Sequence, residues 1–203
     1  MHNTTGNEGR IMETDKLLEI LSTASRLKDN TRHSWTPKGR RESVAEHSWR
    51  LSLFAYFIKD EFPDVDIDKV IKMCILHDMG EAFTGDIPSF NKTEKDESKE
   101  LSALFGWVKS LPEKFCNELM DLYKKMLEQK TSEALLYKAL DKLEAAVAHN
   151  EADLGTWIEL EYKLNPVYGY EECQYNPYLK ELQEKIREIS IDKINNQQKN
   201  KET

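Results

Sequence analysis

An all-α bundle is the fold this sequence predicts, and three observations carry the prediction. Apolar residues recur at three- and four-residue steps through most of the chain, the period of a helix with one buried face. Only 8 glycines and 6 prolines serve 203 residues, too few for the many turns of a sheet protein. No stretch alternates polar and apolar residues convincingly enough to read as a strand. A bundle of about seven to eight helices follows.

The elements can be placed in order. Residues 1–10 are polar and read as a disordered tail ahead of a domain spanning 11–194. Leu17, Leu18, Leu21, Ala24 and Leu27 form the apolar stripe of a first helix, Ile11 to Lys28. Asp29 to Glu42 holds Pro37, Gly39 and the cations Arg32, Lys38, Arg40 and Arg41, and reads as a basic loop. Ser43 followed three residues later by Glu46 is a capping box, opening a helix that runs to about Phe62. Pro63 ends it, a helix from about Asp68 to Phe83 follows, and Thr84 to Pro88 must turn. Further helices are expected at 93–110, at 112–129 with Pro112 in its first position, and at 131–150, 153–163 and 177–194. Asn165 to Asn176, with two prolines and Gly169, reads as a loop, and 195–203 as a disordered tail with nothing to bury.

Charge and cysteines narrow the function. A formal charge of −8 and a pI near 5.3 exclude a general nucleic-acid binder, which needs a net basic face. A small anionic substrate held by a metal and local cations stays possible. The longest apolar run, Leu53 to Ile58, is too short to span a bilayer, and the N-terminus lacks the pattern of a signal peptide. Cys74, Cys116 and Cys173 are odd in number and unpaired in spacing, as suits a reducing cytoplasm. Cys74 itself reads as a small core residue.

The chemistry concentrates on two segments. His47 falls on the apolar stripe Val44, His47, Leu51, Phe54, Ile58, so its imidazole points inward. His77 and Asp78 follow the apolar run Val70 to Leu76, and Glu81 lies three residues beyond Asp78 on the same helical face. Carboxylates beside a core are costly unless paired or bound to a cation. Neutral imidazoles and carboxylates converging inside a bundle make a metal site. One inward histidine alone is more often a satisfied core residue; the joint pattern is harder to dismiss. Asp141, an acid inside the apolar stretch Leu135 to Leu143, is the candidate for a fourth ligand. Alternatively it is a solvated acid paired with Lys138 or Lys142.

The order His47, His77-Asp78, Asp141 resembles the HD-domain metal-dependent phosphohydrolases. The flanking text Glu42-Ser43-Val44-Ala45-Glu46-His47-Ser48, with His77-Asp78-Met79-Gly80-Glu81 running on to Gly85-Asp86-Ile87-Pro88, is similar to their 5′-deoxynucleotidase branch. The resemblance covers about Leu17 to at least Ala148. It implies that His47, His77, Asp78 and Asp141 bind one divalent metal. Two nitrogens and two carboxylates suit Mn²⁺, Co²⁺, Fe²⁺ or Zn²⁺ better than Ca²⁺. A dinuclear site would need more histidines, and with His2 set aside only His33 and His149 are left. Of these, His33 reads as exposed and His149 as a helix-end residue.

The same resemblance implies hydrolysis of a nucleoside 5′-monophosphate, with Glu81 orienting or deprotonating water and Asp86 contacting the sugar or assisting proton transfer. Arg32 and Trp35 are the expected substrate-binding pair, although two residues separate them here where relatives carry adjacent ones; Arg40 and Arg41 are alternative phosphate ligands. A homodimer in the cytoplasm is also implied, with Trp157, Ile158 and Leu160 available for the contact. Two other readings stand beside this one. The first is the same metal site acting on a cyclic nucleotide, an alarmone or another phosphomonoester. The second is a helical interaction protein with an inert site.

Overall fold

The computed structural model describes residues 11–201, with side chains described to residue 197. The N-terminal tail expected at 1–10 therefore lies outside the described residues. The chain is all-α, with one small hairpin. Helix α1 (Thr14–Ser25) runs into a 3-10 turn at Arg26–Lys28. Strands β1 (Thr31–Trp35) and β2 (Arg41–Ser43) pair antiparallel, Thr31 opposite Ser43 and Trp35 opposite Arg41. This hairpin replaces the expected basic loop. Its turn needs Gly39 at φ +80, a conformation that glycine adopts without strain.

Ser43 then caps α2 (Val44–Phe57) as the sequence requires. Its hydroxyl accepts from the Glu46 backbone N–H, and the Glu46 carboxylate accepts from the Ser43 N–H at 2.9 Å. Helix α3 (Ile67–Leu76) begins at the Asp66 cap. It stops before His77 instead of continuing to Phe83, and the single turn α4 (Glu81–Thr84) resumes after a tight bend. Across this bend His77 and Asp78 come together, Nε2 of one 2.9 Å from Oδ2 of the other. Gly80 belongs to the bend, because a β-carbon there would meet the Glu100 side chain at 2.8 Å.

Helices α5 (Glu94–Lys109), α6 (Glu113–Glu128) and α7 (Ser132–Glu151) match the expected periods closely. Pro112 is the residue before α6 and not its first turn. The expected helix over 153–163 is not continuous. The Asp153 carboxylate accepts from the Gly155 N–H at 2.7 Å and closes a 3-10 turn, Leu154–Thr156. Trp157 is extended, and only α8 (Glu161–Leu164) is helical. The segment read as a loop over 165–176 contains a 3-10 turn and α9 (Tyr170–Cys173). Helix α10 (Pro177–Lys201) runs past residue 194.

Helix α7 is the axis of the bundle, packed against α2, α3 and α10. Its fully buried Leu136, Leu140 and Leu143 interlock with Leu51 of α2, Met73 of α3 and Leu179 of α10. Each such leucine contributes roughly 1.5–3 kcal/mol by leaving water. Ala139 and Ala146, also fully buried, keep the neighbouring backbones close. Functional side chains on α2, the α3–α4 bend and α7 are thereby held around one point. Among the described residues, no helix is long and apolar enough to cross a membrane.

The start of α2 carries an acid-sensitive clamp. The Arg40 guanidinium, above all, holds the Glu46 carboxyl down to about 2 from an ordinary 4.5, with Ser43 adding to the effect. A depressed carboxyl stabilises the fold above its unfolded value and loses that contribution as pH falls toward its folded one. Stability should therefore drop between pH 4.5 and 2. Arg40 is exposed and Glu46 partly so, and solvent limits the ion-pair share to roughly 0.5–1 kcal/mol. Thermal melts of wild type and Glu46→Gln across that window check this; equal acid sensitivity would remove Glu46 from the account.

Candidate metal centre

Helix α2 delivers His47 to the centre of the bundle, fully buried. Its Nδ1 donates to the Glu144 carboxylate on α7, and Arg50 donates its Nε–H to the same carboxylate at 2.5 Å. The α3–α4 bend delivers His77, whose Nδ1 donates to the Cys74 carbonyl at 2.9 Å. Both rings thus have their Nδ1 hydrogens committed, which leaves the Nε2 lone pairs directed inward. These two nitrogens lie 3.2 Å apart.

Carboxylates complete the cluster. Asp141 Oδ1 lies 3.2 Å from His47 Nε2 and 3.7 Å from His77 Nε2. Asp78 Oδ2 lies 2.9 Å from His77 Nε2, yet this buried oxygen has no hydrogen-bond partner. Among the described residues, His47, His77 and Asp78 place ligand atoms within 4.8 Å of one another, Asp141 standing just outside that trio, and Glu42, His47 and Glu144 form a second such group. Two imidazoles and two carboxylates converging on one point fit a divalent cation. Asp141 also accepts from Lys138 at 2.9 Å, so the pairing read as its alternative role coexists with its place in the cluster.

Electrostatics express the same crowding. Burial and the Arg32 charge oppose protonation of His47, but Asp141 and Glu144 hold it up to about 9 in the protein alone. Burial alone would raise Asp78, but His77, His47 and Arg32 bring it down to about 2. Asp141 overcomes its burial in the same way, through Lys138 and the two histidines, and lies well below the carboxylate range. The cluster is built for positive charge.

A cleft of about 200 Å³ opens beside these residues, and Arg32, Asp78, Glu81, Asp86 and Asp141 line it. Arg32, on β1, points its guanidinium at Asp78 and Glu42, 3.6 Å from an oxygen of each. Glu81 is 5% exposed and has one carboxylate oxygen unpartnered. Burial, then the charges of Asp78 and Asp86, push Glu81 up to about 10. Burial also raises Asp86, against the pull of Arg32. Two acids held above their ordinary range beside two held below it is the arrangement that acid–base chemistry requires.

Not every expected residue joins the cleft. Trp35 lies at the far end of β1, its ring covered by the Arg41 guanidinium at 4.4 Å, and it does not line the cavity. Arg40 is committed to Glu46, and Arg41 to the His33 carbonyl. In place of Trp35 the hairpin presents His33 and Ser34. His33 is not exposed, and His149 is more than a helix end, for both line the cleft with Lys142 and Glu161. Sequence reasoning also missed Glu144. Its spacing of three from Asp141 on an otherwise apolar helix was the available signal.

The fold and this cluster define a class: a helical bundle with a two-histidine, two-carboxylate centre at the foot of a cleft. Residues 24–183 match the family model described as HD domain, and the chain belongs to that family. It is 31% identical over 137 residues to the 5′-deoxynucleotidase HDDC2 of Dictyostelium discoideum, covering 63% of this chain and 72% of the relative. Against the 5′-deoxynucleotidase HDDC2 of Homo sapiens it is 30% identical over 151 residues, 72% of this chain and 71% of the relative. A crystal structure of a predicted metal-dependent phosphohydrolase from Magnetospirillum magnetotacticum MS-1 shares the fold at a TM-score of 0.71 and 23% identity, covering 87% of this chain and 94% of that one.

The Glu144 carboxylate holds His47 and Arg50 together in the interior. Glu144→Ala should leave His47 Nδ1 without its carboxylate and Arg50 with Glu151 alone, and cost roughly 3–5 kcal/mol, read from urea unfolding. A loss below about 1 kcal/mol would mean that the carboxylate does not organise the centre.

Proposed function

We propose that this chain is a metal-dependent phosphohydrolase that releases phosphate from nucleoside 5′-monophosphates, deoxyribonucleotides among them. The observation that carries the reading is the convergence of His47 Nε2, His77 Nε2, Asp78 and Asp141 at the foot of a cleft lined by both cations and carboxylates. Those four residues are assigned as ligands of a single divalent transition metal, Mn²⁺, Co²⁺, Fe²⁺ or Zn²⁺. A cation held there supplies electrophilic activation of water and of a phosphoryl oxygen. Similarity to relatives named 5′-deoxynucleotidases supports the substrate class.

The remaining roles fall to this chain's own side chains. Arg32 faces the cluster from β1 and is assigned to the phosphate, which a guanidinium can grip with two hydrogen bonds. Lys92, Lys138 and Lys142 add further positive charge in the cleft. Glu81 is assigned proton transfer with the attacking water, and Asp86, in the turn after α4, to the sugar side and the leaving 5′ oxygen. The Gly85 backbone at φ +78 makes that turn possible. Glu144 and Arg50 fix the His47 ring, so the ligand set is oriented before substrate arrives.

A cytoplasmic homodimer belongs to the same reading. Trp157 is buried against His149 and Tyr162 and cannot serve the contact, whereas Ile158 and Leu160 stay exposed.

The test is phosphate release from a panel of 5′-mononucleotides with and without added Mn²⁺ or Co²⁺. Metal-stimulated release is expected, and Glu81→Gln should lower kcat about 10²–10⁴-fold with the melting temperature retained. Absence of metal stimulation on every mononucleotide would overturn the reading.

A further inference from the structure

Helix α2 carries apolar side chains on both of its sides. The inner face buries Val44, Leu51 and Ala55 against the rest of the bundle. The outer face holds Trp49, Leu53, Tyr56 and Phe57, exposed at 63, 37, 49 and 78%. Steps of four, three and one residues put all four on a single stripe about 100° wide, running roughly 12 Å from Trp49 to Phe57. Tyr56 and Phe57 meet edge-on, ring centroids 5.4 Å apart, and form one surface. At the areas typical of aromatic side chains, roughly 400 Å² of the stripe stands open. A continuous apolar patch of that size marks a contact surface. Residues 1–10 hold one apolar side chain, Met1, and 198–203 none, too little to cover it.

The two ends of the stripe differ in shape and in charge. Beside Trp49 lies a shallow hollow of about 330 Å³, lined by Ala45 and by the cations Lys28 and Arg40. Arg40 is answered there by Glu46, and Lys28 is exposed without an ion-pair partner among the described residues. Two turns further along, Phe57 projects, the most exposed large hydrophobic side chain among the described residues. Behind it, the 3-10 turn Lys59–Glu61 presents Asp60 and Glu61, both exposed and in no ion pair among the described residues. Lys59 is turned back over the Tyr56 ring, 4.7 Å from its centroid. A projection backed by acids at one end and a hollow flanked by cations at the other complement each other when the face is turned end for end.

We propose that a second copy of this chain covers this face, the two α2 helices packing antiparallel about a two-fold axis at Leu53. Positions equidistant from Leu53 then oppose each other, so Trp49 meets the partner's Phe57 and Leu53 meets the partner's Leu53. Each Phe57 fills the hollow beside the opposing tryptophan, and Asp60 and Glu61 reach the cations around it. A parallel pairing would instead set the acids of both turns together, which repels. The stripe supplies about half of the roughly 800 Å² per partner that a standard interface buries, the apolar core within a polar rim. The exposed pair Ile158 and Leu160 offers a smaller apolar area. This assignment rests on the homodimer proposed above and says where its contact lies; it does not rest on the phosphatase activity.

Light scattering and sedimentation equilibrium on the full chain test it. The wild type should have twice the 23.7 kDa of one chain. Phe57→Glu should raise the dimer dissociation constant at least about thirtyfold, the effect of removing an anchoring side chain. Its helical circular dichroism should be retained, because Phe57 is exposed within one copy. Leu53→Cys, on the axis, should form a disulfide between copies under mild oxidation, while the wild type, whose cysteines are buried or half-buried, should not. A wild type that stays at 23.7 kDa up to about 100 µM would overturn the proposal and the homodimer together. A dimer that survives Phe57→Glu but is lost in Leu160→Glu would overturn this face and keep the homodimer. Failure of Leu53→Cys to crosslink would overturn the antiparallel pairing. Phosphate release by a monomer would discard the contact and leave the hydrolase reading standing, and a Phe57-dependent dimer without phosphate release would do the opposite.

Discussion

Everything in this molecule is arranged around two imidazole nitrogens that face each other 3.2 Å apart inside a bundle. Each ring has spent its other nitrogen on a fixed partner, Glu144 for His47 and the Cys74 carbonyl for His77. Two lone pairs so placed repel unless something positive lies between them. Asp78 and Asp141 add further negative charge at the same point. Such a group persists only because surrounding packing holds it there, and α7, with its buried leucines, provides that packing. The cluster thus gathers ligand atoms at the foot of the cleft, where protonation or a cation relieves their repulsion.

The same helix connects the centre to the rest of the cleft. From Lys138 and Asp141 through Lys142 and Ala145 to His149, one face of α7 lines the cavity while the opposite faces bury leucine and alanine. The hairpin covers this face from one side, bringing Arg32 and His33, and the turn after α4 brings Asp86 from another. Gly169, at φ +74, lets the segment before α9 approach α7 so closely that a β-carbon would lie 3.0 Å from Lys142 Cβ. Tyr168 is thereby held where its hydroxyl accepts from Lys142 at 3.2 Å. A polar cleft on a rigid axis is the consequence.

Much of this was legible in the sequence because the signals were local. The Ser43/Glu46 capping box, the periods of α5, α6 and α7, and the spacing His77-Asp78 to Glu81 each lie within a few residues. What was not legible depends on distant partners. The hairpin has polar residues on both faces, so it carries no alternation, and backbone pairing across Thr31/Ser43 and Trp35/Arg41 defines it. The end of α3 at Leu76 was not legible either, since Gly80 is the single helix-weakening residue between it and α4. The meeting of His33, His149 and Glu161 joins three separate segments, and no spacing rule announces it. Trp35 shows the converse. A residue type suited to stacking on a base is used to pack under Arg41.

The central claim is that four side chains from α2, the α3–α4 bend and α7 share one divalent ion. Anomalous diffraction from crystals grown with Mn²⁺ tests it most directly. A single strong peak is expected within roughly 2.0–2.3 Å of His47 Nε2, His77 Nε2 and an oxygen each of Asp78 and Asp141, the range of transition-metal bonds to nitrogen and oxygen. A peak elsewhere, or none at saturating Mn²⁺ with the four side chains ordered, would contradict it.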